Sequence, residues 1–158
     1  MTPDDLVKTF EANQWVIGAQ TRGLGDDDSV LQAAFRTNCL NWVVGHIAAN
    51  RDEVLRALDL EPLLGRARTV LYARESEPIH GPESPHVPLE ELLALLARSL
   101  TAIVSALRAL DAAALAAPVG ESGRTLGEWL RFLAWHETYH CGQTDVLRQL
   151  AGTDDKVI

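Results

Sequence analysis

The chain has 158 residues, of which 47% are hydrophobic, and this length and composition are typical of one globular domain. It contains no run of eighteen apolar residues, and its acidic start, MTPDDLVKTF, lacks the basic-then-apolar order of a signal peptide. A formal net charge of −8 argues against nucleic-acid binding, because phosphate backbones repel an acidic surface. We therefore expect a cytoplasmic protein with a single domain over residues 1–158, no membrane segment and no nucleic-acid partner.

Helical periodicity runs through most of the chain, and no stretch shows the alternation that is typical of a strand. The first helix is predicted over residues 2–21, because Thr2 is a candidate N-cap that a proline and two aspartates follow. A break rich in glycine and aspartate covers residues 22–29. The second helix is predicted over residues 31–60, with Phe35 as the alternative start.

A long connection follows over residues 61–87, and its second part, ESEPIHGPESPHVP, extends to a fourth proline and cannot form a helix interior. The third helix is predicted over residues 88–110, and a short helical turn and a loop over residues 111–123. The fourth helix begins at the capping-box sequence TLGE, residues 125–128. It is predicted to end near Gly152, and the tail TDDKVI is expected to fray.

Four amphipathic helices of about twenty residues each predict an all-α fold, a four-helix bundle. The short break after the first helix makes helices 1 and 2 antiparallel neighbours. The crossover between helices 2 and 3 is long enough to run the length of the bundle, so helix 3 can lie parallel to helix 2. The predicted topology is up-down-down-up.

The segment WHETYHCGQ, residues 135–143, carries His136 and His140 four residues apart on one helix face. The second imidazole is rotated by about 40° and raised by about 6 Å, so both can bind one ion. His46, mid-helix in NWVVGHIAAN, is the candidate third ligand, because a buried histidine is tolerated when it is neutral and metal-bound. The alternative is that these are core histidines, each with one hydrogen bond, and the spacing alone leaves both open.

The segment NCLNWVVGHIAANRDEVLRAL, followed about ninety residues later by HETYHCGQ, resembles the DinB/YfiT-like superfamily of helical-bundle metalloproteins. That family carries NW..GHI on one helix and H-x-x-x-H-x-G-Q on the last. The resemblance implies a four-helix bundle, often a homodimer, with a divalent metal held by His46, His136 and His140. It also implies activities known in the superfamily, namely S-transfer with bacillithiol or mycothiol and maleylpyruvate isomerisation, although many members have no assigned activity.

Three histidines leave at least one coordination position open, which is typical of a catalytic site. We therefore predict a metal-activated thiolate or water that attacks a small electrophile, in a transferase or hydrolase with a small-molecule substrate. A low-molecular-weight thiol is the expected cosubstrate. Zinc or nickel is the expected ion, with iron or manganese as alternatives, since imidazole binds several transition metals. The sequence identifies no catalytic residue.

Helix spacing nominates further residues that could support the ligands or face the substrate. These are Gln143, Asn50, Glu53 and Trp42. Gln143 shares the face of His140, and Asn50 or Glu53 could accept a hydrogen bond from an imidazole. Glu53 could equally pair with Arg56 or Arg51, and Trp42 could be a core residue.

The remaining chemistry-bearing residues have structural interpretations. Cys39 and Cys141 form no disulfide framework or zinc-ribbon pattern and are expected to be buried, reduced thiols. Gly142 is expected to allow a close helix contact. His80 and His86 are expected to be solvated, with the alternative that their loop caps the open metal position.

Two other functions stay open. The bundle could be a non-catalytic protein, one that senses or stores metal or a dimeric stress-response protein, and a sealed or fully ligated ion would favour this. The other alternative is a helical interaction module without metal, which would purify without a tightly bound ion.

Overall fold

A computed structural model describes residues 2–120 and 123–153, and this part of the chain is all-helical. The helices are α1 (Pro3–Gln20), α2 (Asp26–Ser29), α3 (Leu40–Ala57), α4 (Arg66–Thr69), α5 (Leu89–Ala109), α6 (Ala112–Ala116) and α7 (Leu126–Leu150), with a 3₁₀ turn at Val70–Tyr72. The described residues form no strand, only an isolated bridge between Pro118 and Thr125. The tail that was expected to fray lies, from residue 154 on, outside the described residues.

The predicted capping signals set the start of the first and last long helices. The Thr2 hydroxyl accepts a hydrogen bond from the Asp5 amide at 3.2 Å, and the Asp5 carboxylate accepts one from the Thr2 amide at 2.8 Å. Thr125 and Glu128 make the same reciprocal pair at 3.2 and 2.9 Å. These bonds satisfy amides that the first helical turn leaves without a partner. The predicted N-cap Thr2 and the predicted capping box at Thr125 are both confirmed, and the box that Thr2 forms with Asp5 is an addition from the structure.

The second long helix begins later than predicted. α3 starts at Leu40 because Cys39, its N-cap, is extended, with φ −70° and ψ 168°. Leu31 and Phe35, the two predicted starts, lie outside the helix and are 40% and 58% exposed. The helix also ends earlier, at Ala57.

Two predicted loops contain short helices. α2 lies within the Gly- and Asp-rich break, where the Asp28 carboxylate accepts a hydrogen bond from the Gly25 amide at 2.8 Å. α4 and the 3₁₀ turn lie within the long connection. The buried Asp52 carboxylate fixes the start of this connection, since it accepts hydrogen bonds from the amides of residues 63, 64 and 65 at 2.8–3.2 Å.

The four long helices each contact two others. α1 and α3 both pack against α5 and α7. The core has two clusters, one around Val44 and Leu96 and the other around Phe10 and Leu130. This packing buries the apolar stripe of each long helix, which is the main favourable contribution to folding. The up-down-down-up path stays a prediction.

α5 is the one helix in the described ranges that is long and apolar enough to cross a membrane by length and composition. It packs against α1 and α3, and its apolar stripe, including Leu92, Leu96 and Leu107, is buried between them. A core helix of a soluble protein satisfies the same criterion, and one such helix is weak evidence for a membrane span.

Candidate metal centre

His46 is oriented by a hydrogen bond to Tyr72 of the 3₁₀ turn. Its Nδ1 lies 2.7 Å from the Tyr72 carbonyl oxygen. The Tyr72 ring packs directly on α3 at Gly45, where a Cβ would overlap the ring. The Tyr72 hydroxyl accepts a hydrogen bond from the Val87 amide at 2.7 Å and donates one to Asn41 Oδ1 at 3.1 Å. The carbonyl is therefore fixed, and it selects the His46 tautomer that is protonated at Nδ1.

His136 and His140 have side-chain acceptors at the same ring atom. His136 Nδ1 lies 3.0 Å from Asn50 Oδ1, and His140 Nδ1 lies 2.7 Å from Gln143 Oε1. The Asn50 amide is oriented because its Nδ2 donates a hydrogen bond to the Leu133 carbonyl at 3.1 Å. Each of the three rings thus carries its proton on Nδ1 and leaves Nε2 with a free lone pair.

The three Nε2 atoms face one another. His136 Nε2 lies 3.4 Å from His46 Nε2 and 3.1 Å from His140 Nε2. Zinc binds imidazole nitrogen at about 2.0–2.1 Å, which separates tetrahedral ligand atoms by about 3.3 Å. Three lone pairs at these distances repel one another unless a cation lies between them. The three histidines could therefore hold one divalent ion.

The electrostatics favour neutral rings. Burial lowers the pKa of His136, and a positive charge on His46 would lower it further. Burial also lowers the pKa of His140 to about 4, although the hydrogen bond to Gln143 opposes this shift. Both rings are therefore neutral at physiological pH, which is the form that a metal ion requires.

An aromatic ring lies against each histidine. Trp42 stacks on His46 with ring centroids 4.8 Å apart, Phe132 on His136 at 6.0 Å, and Tyr139 meets His140 edge-on at 5.1 Å. We call these three rings the aromatic collar. Trp42 is buried and donates a hydrogen bond from Nε1 to Ser76 Oγ at 2.9 Å, whereas Phe132 and Tyr139 are exposed. The collar shields the imidazoles and presents apolar surface to solvent beside them.

The family model of the DinB superfamily matches residues 19–144 of this sequence. The chain belongs to the DinB superfamily. The resemblance found in the sequence is thereby confirmed.

The fold of this DinB-superfamily chain also occurs in a solved structure. A conserved protein from Enterococcus faecalis superposes with a TM-score of 0.74 at 16% sequence identity, over 97% of this chain and 99% of that one. At this identity the likeness shows the fold alone. No curated protein gives a match to the sequence.

The four supporting residues nominated from the sequence of this DinB-superfamily protein differ in their positions. Asn50 and Gln143 contact histidine Nδ1 atoms, and Trp42 stacks on His46. Glu53 makes no such contact, because its carboxylate pairs with Arg56 at 2.5 Å on the exposed side of α3.

The cysteines are buried and free, as predicted. Burial raises the pKa of both thiols, that of Cys141 to about 12, so neither is a thiolate at neutral pH. Cys141 Sγ instead donates a weak hydrogen bond to the Asn13 carbonyl at 3.8 Å. The chain's own sulfur atoms therefore do not provide a nucleophile.

Two of the structural interpretations need correction. Gly142 faces open space, so it serves no close contact, whereas Gly45 lies against the Tyr72 ring and Gly127 lies close to Leu115 of α6. His80 is exposed as expected, but His86 bonds to the Ser84 carbonyl at 2.7 Å and to the Asp26 carboxylate at 3.0 Å. His86 therefore ties the connection to α2.

A buried ion pair that was not predicted from the sequence lies beside the histidines. The Arg51 guanidinium binds the Glu137 carboxylate through two hydrogen bonds, of 3.0 and 2.9 Å, and both residues are 0% exposed. One signal was available, since Glu137 falls on the apolar face of α7 with Leu130, Leu133 and Cys141. A charge at such a position requires a buried partner.

Proposed function

We propose that this protein is a metal-dependent enzyme in which His46, His136 and His140 hold one divalent ion and leave a coordination position open. The observation that carries the proposal is the convergence of the three Nε2 atoms while an oxygen acceptor engages each Nδ1. Core histidines without a ligand need only one hydrogen bond each and gain nothing from turning three lone pairs toward one point.

Zinc or nickel suits the all-imidazole ligand set best, with iron or manganese as the alternatives. Three neutral ligands leave the full positive charge of the ion uncompensated. Such an ion lowers the pKa of a water molecule or thiol at the open position and so supplies a nucleophile at neutral pH. We propose a small electrophile as the substrate and a low-molecular-weight thiol as the cosubstrate, which makes the protein an S-transferase or a related transferase or hydrolase.

The chain's own residues hold and shape this centre. The Tyr72 carbonyl, Asn50 and Gln143 keep the imidazole protons on Nδ1 and thereby keep Nε2 available for the ion. The exposed rings of Phe132 and Tyr139 offer apolar surface to a small substrate. Glu53 follows His46 by seven residues on α3 but pairs with Arg56, so it is assigned no role in the reaction.

Three further proposals concern the protein as a whole. The four long helices run up-down-down-up, the protein works in the cytoplasm, and the chain forms a homodimer. Large exposed apolar side chains on the neighbouring helices α1 and α7, including Trp15 (58% exposed) and Trp135 (60% exposed), support the homodimer. Light scattering coupled to size exclusion tests this, and a monomer at micromolar concentration contradicts it.

Elemental analysis of protein purified without a histidine tag tests the metal centre. Wild type and the His80→Ala variant, which lacks an exposed loop histidine, are expected to retain about one ion per chain, and His46→Ala is expected to lose it. A wild type that takes up neither zinc nor nickel, or a His46→Ala variant that binds like wild type, contradicts the proposal.

Turnover is tested next, on the loaded protein. Bacillithiol is offered with a panel of small electrophiles, and the metal-free protein serves as the control. Turnover that requires the ion supports the enzyme. A tightly bound ion without turnover on any substrate favours the alternative of a non-catalytic metal-binding or stress-response protein.

A further inference from the structure

The buried Arg51–Glu137 pair lies where the four long helices meet. The Arg51 guanidinium on α3 binds the Glu137 carboxylate on α7 through both of its oxygens. Its third nitrogen donates hydrogen bonds to Gln14 Oε1 on α1 at 2.7 Å and to the Leu96 carbonyl on α5 at 2.6 Å. One side chain therefore connects α3 to each of the other long helices.

On α7 the pair is one residue away from His136, and on α3 it is one residue away from Asn50, the hydrogen-bond acceptor of His136. Asn50 precedes Arg51 on α3, and His136 precedes Glu137 on α7. Asn50 binds His136 at 3.0 Å, so consecutive residues of α3 bind consecutive residues of α7. A guanidinium fork that binds a carboxylate through two parallel hydrogen bonds allows little axial sliding of α3 along α7. A slide by one residue of helix rise, about 1.5 Å, would break the pair.

The axial register of α3 against α7 matters most for His46, the one histidine of the three that lies on α3. His136 and His140 share α7, so that helix alone sets the 3.1 Å between their Nε2 atoms. The 3.4 Å between the Nε2 atoms of His46 and His136 instead crosses from α3 to α7. A slide of α3 along α7 would leave a two-histidine site and withdraw the third ligand.

Stability alone does not explain a pair of this kind. Burying two charges costs several kcal/mol per ion, and apolar replacements of similar volume are often neutral or stabilising. Apolar side chains would also fill the space between the helices, but without directional bonds that define one axial offset. The ion pair adds geometric definition, which a site that depends on tenths of an ångström requires.

We propose that Arg51 and Glu137 are positioning residues that set the axial register of α3 against α7 and thereby bring His46 to the other two histidines. Neither residue belongs to the three-histidine group that would hold the ion. The inference rests on the metal centre proposed above, and it concerns residues to which the metal proposal assigns no role.

The test compares variants of the pair with a distant control. Arg51→Lys and Glu137→Gln keep approximate size but break the fork, and the Arg51→Met/Glu137→Met double variant removes both charges. Leu107→Ala is the control. Leu107 is fully buried in the core cluster around Phe10 and Leu130, which is not the cluster around Val44 that lies beside His46. Zinc affinity is measured by chelator competition, the ligand field by visible absorption of the cobalt form, and the Tm on metal-free protein.

The fork variants are expected to lose about 10- to 100-fold in zinc affinity and to change the cobalt spectrum toward fewer nitrogen ligands. The double variant shows the same loss although its metal-free Tm equals or exceeds that of wild type. Leu107→Ala lowers the Tm but leaves zinc affinity unchanged. This dissociation of affinity from stability is what a merely structural role does not produce.

Three outcomes overturn the inference. Folded Arg51→Lys and Glu137→Gln variants with wild-type zinc affinity and cobalt spectrum would reduce the pair to a structural role. Failure of every pair variant to fold would make the pair a requirement of the fold rather than of register. Absence of zinc binding in wild type would remove the metal centre itself, an outcome distinct from the first two.

Discussion

The Tyr72 ring occupies the space that Gly45 leaves on α3, and the same tyrosine's carbonyl oxygen lies 2.7 Å from Nδ1 of the next residue, His46. The absence of one side chain therefore lets the crossover reach the candidate metal centre. The close approach also explains why Tyr72 is fully buried although it belongs to a connection between long helices.

Replacing Gly45 tests this relationship. Gly45→Ala is expected to displace the Tyr72 ring, to lower the free energy of unfolding by about 1–3 kcal/mol and to weaken zinc binding. Gly142→Ala is the matched control, because Gly142 is also within a long helix but faces open space, and alanine there is expected to stabilise by about 0.5–1 kcal/mol. Urea unfolding and chelator competition measure both effects. Equal stability of the two variants would show that the contact is unimportant.

Asn50 tests the role of the Nδ1 acceptors. Asn50→Leu is expected to reduce zinc affinity by about tenfold or more, because His136 loses the acceptor that keeps its proton on Nδ1. Asn50→Asp keeps an acceptor and is expected to retain most of the affinity. Glu53→Gln serves as the control on the same helix and should bind zinc like wild type. The same affinity in Asn50→Leu and Glu53→Gln would contradict this account.

The pH dependence of the metal-free protein follows from the lowered histidine pKa values. Burial lowers the pKa of His140 from its ordinary 6.5 to about 4, so the folded state favours the neutral ring. Its contribution to stability is complete above pH 6.5 and is lost as the pH falls through the folded pKa. Thermal unfolding should therefore show a decline between pH 6.5 and about 4 that is shallower in His140→Gln. Parallel profiles for the two proteins would refute this.

His86 is expected to show the opposite dependence. Burial alone would lower its pKa, but the hydrogen bonds to the Ser84 carbonyl and to Asp26 outweigh burial and raise the pKa above 6.5. Both ring nitrogens face oxygen acceptors, which only the protonated ring satisfies. The stabilisation is thus complete below pH 6.5 and is lost as the pH rises through the folded pKa.

The measurement is the difference in Tm between wild type and His86→Gln, taken from below pH 6.5 into alkaline buffer. For His86→Gln we expect a Tm difference below pH 6.5 that shrinks in alkaline buffer. His80→Gln, which replaces an exposed loop histidine, is the control and is expected to change the Tm little. A His86→Gln difference that grows with pH would contradict the assignment of a protonated ring.

Local signals in the sequence predicted the starts of the first and last long helices and the histidine pair. Thr2 and Thr125 begin helices because capping boxes involve residues only three positions apart. His136 and His140 face one point because helix geometry fixes an i, i+4 pair. His46 could be added from its mid-helix position and from the family resemblance, but spacing alone left a core histidine equally open.

Contacts between residues far apart in the chain could not be predicted from the sequence. The acceptor for His46 is a backbone carbonyl 26 residues away, and any residue type could supply it. Arg51 and Glu137 are 86 positions apart, so no periodicity links them. The start of α3 was misplaced for a related reason, since Leu31 and Phe35 have helical spacing but no surface to pack against. Tertiary contacts decide such features.

The central claim is that one divalent ion is bound by imidazoles from two helices, and crystals of the protein grown with zinc test it most directly. Anomalous diffraction at the zinc edge is expected to give one strong peak about 2.0–2.1 Å from Nε2 of His46, His136 and His140. The fourth coordination position is expected to have no protein ligand. A peak bound by only one of the two helices, or no peak at these histidines in zinc-saturated crystals, would contradict the account.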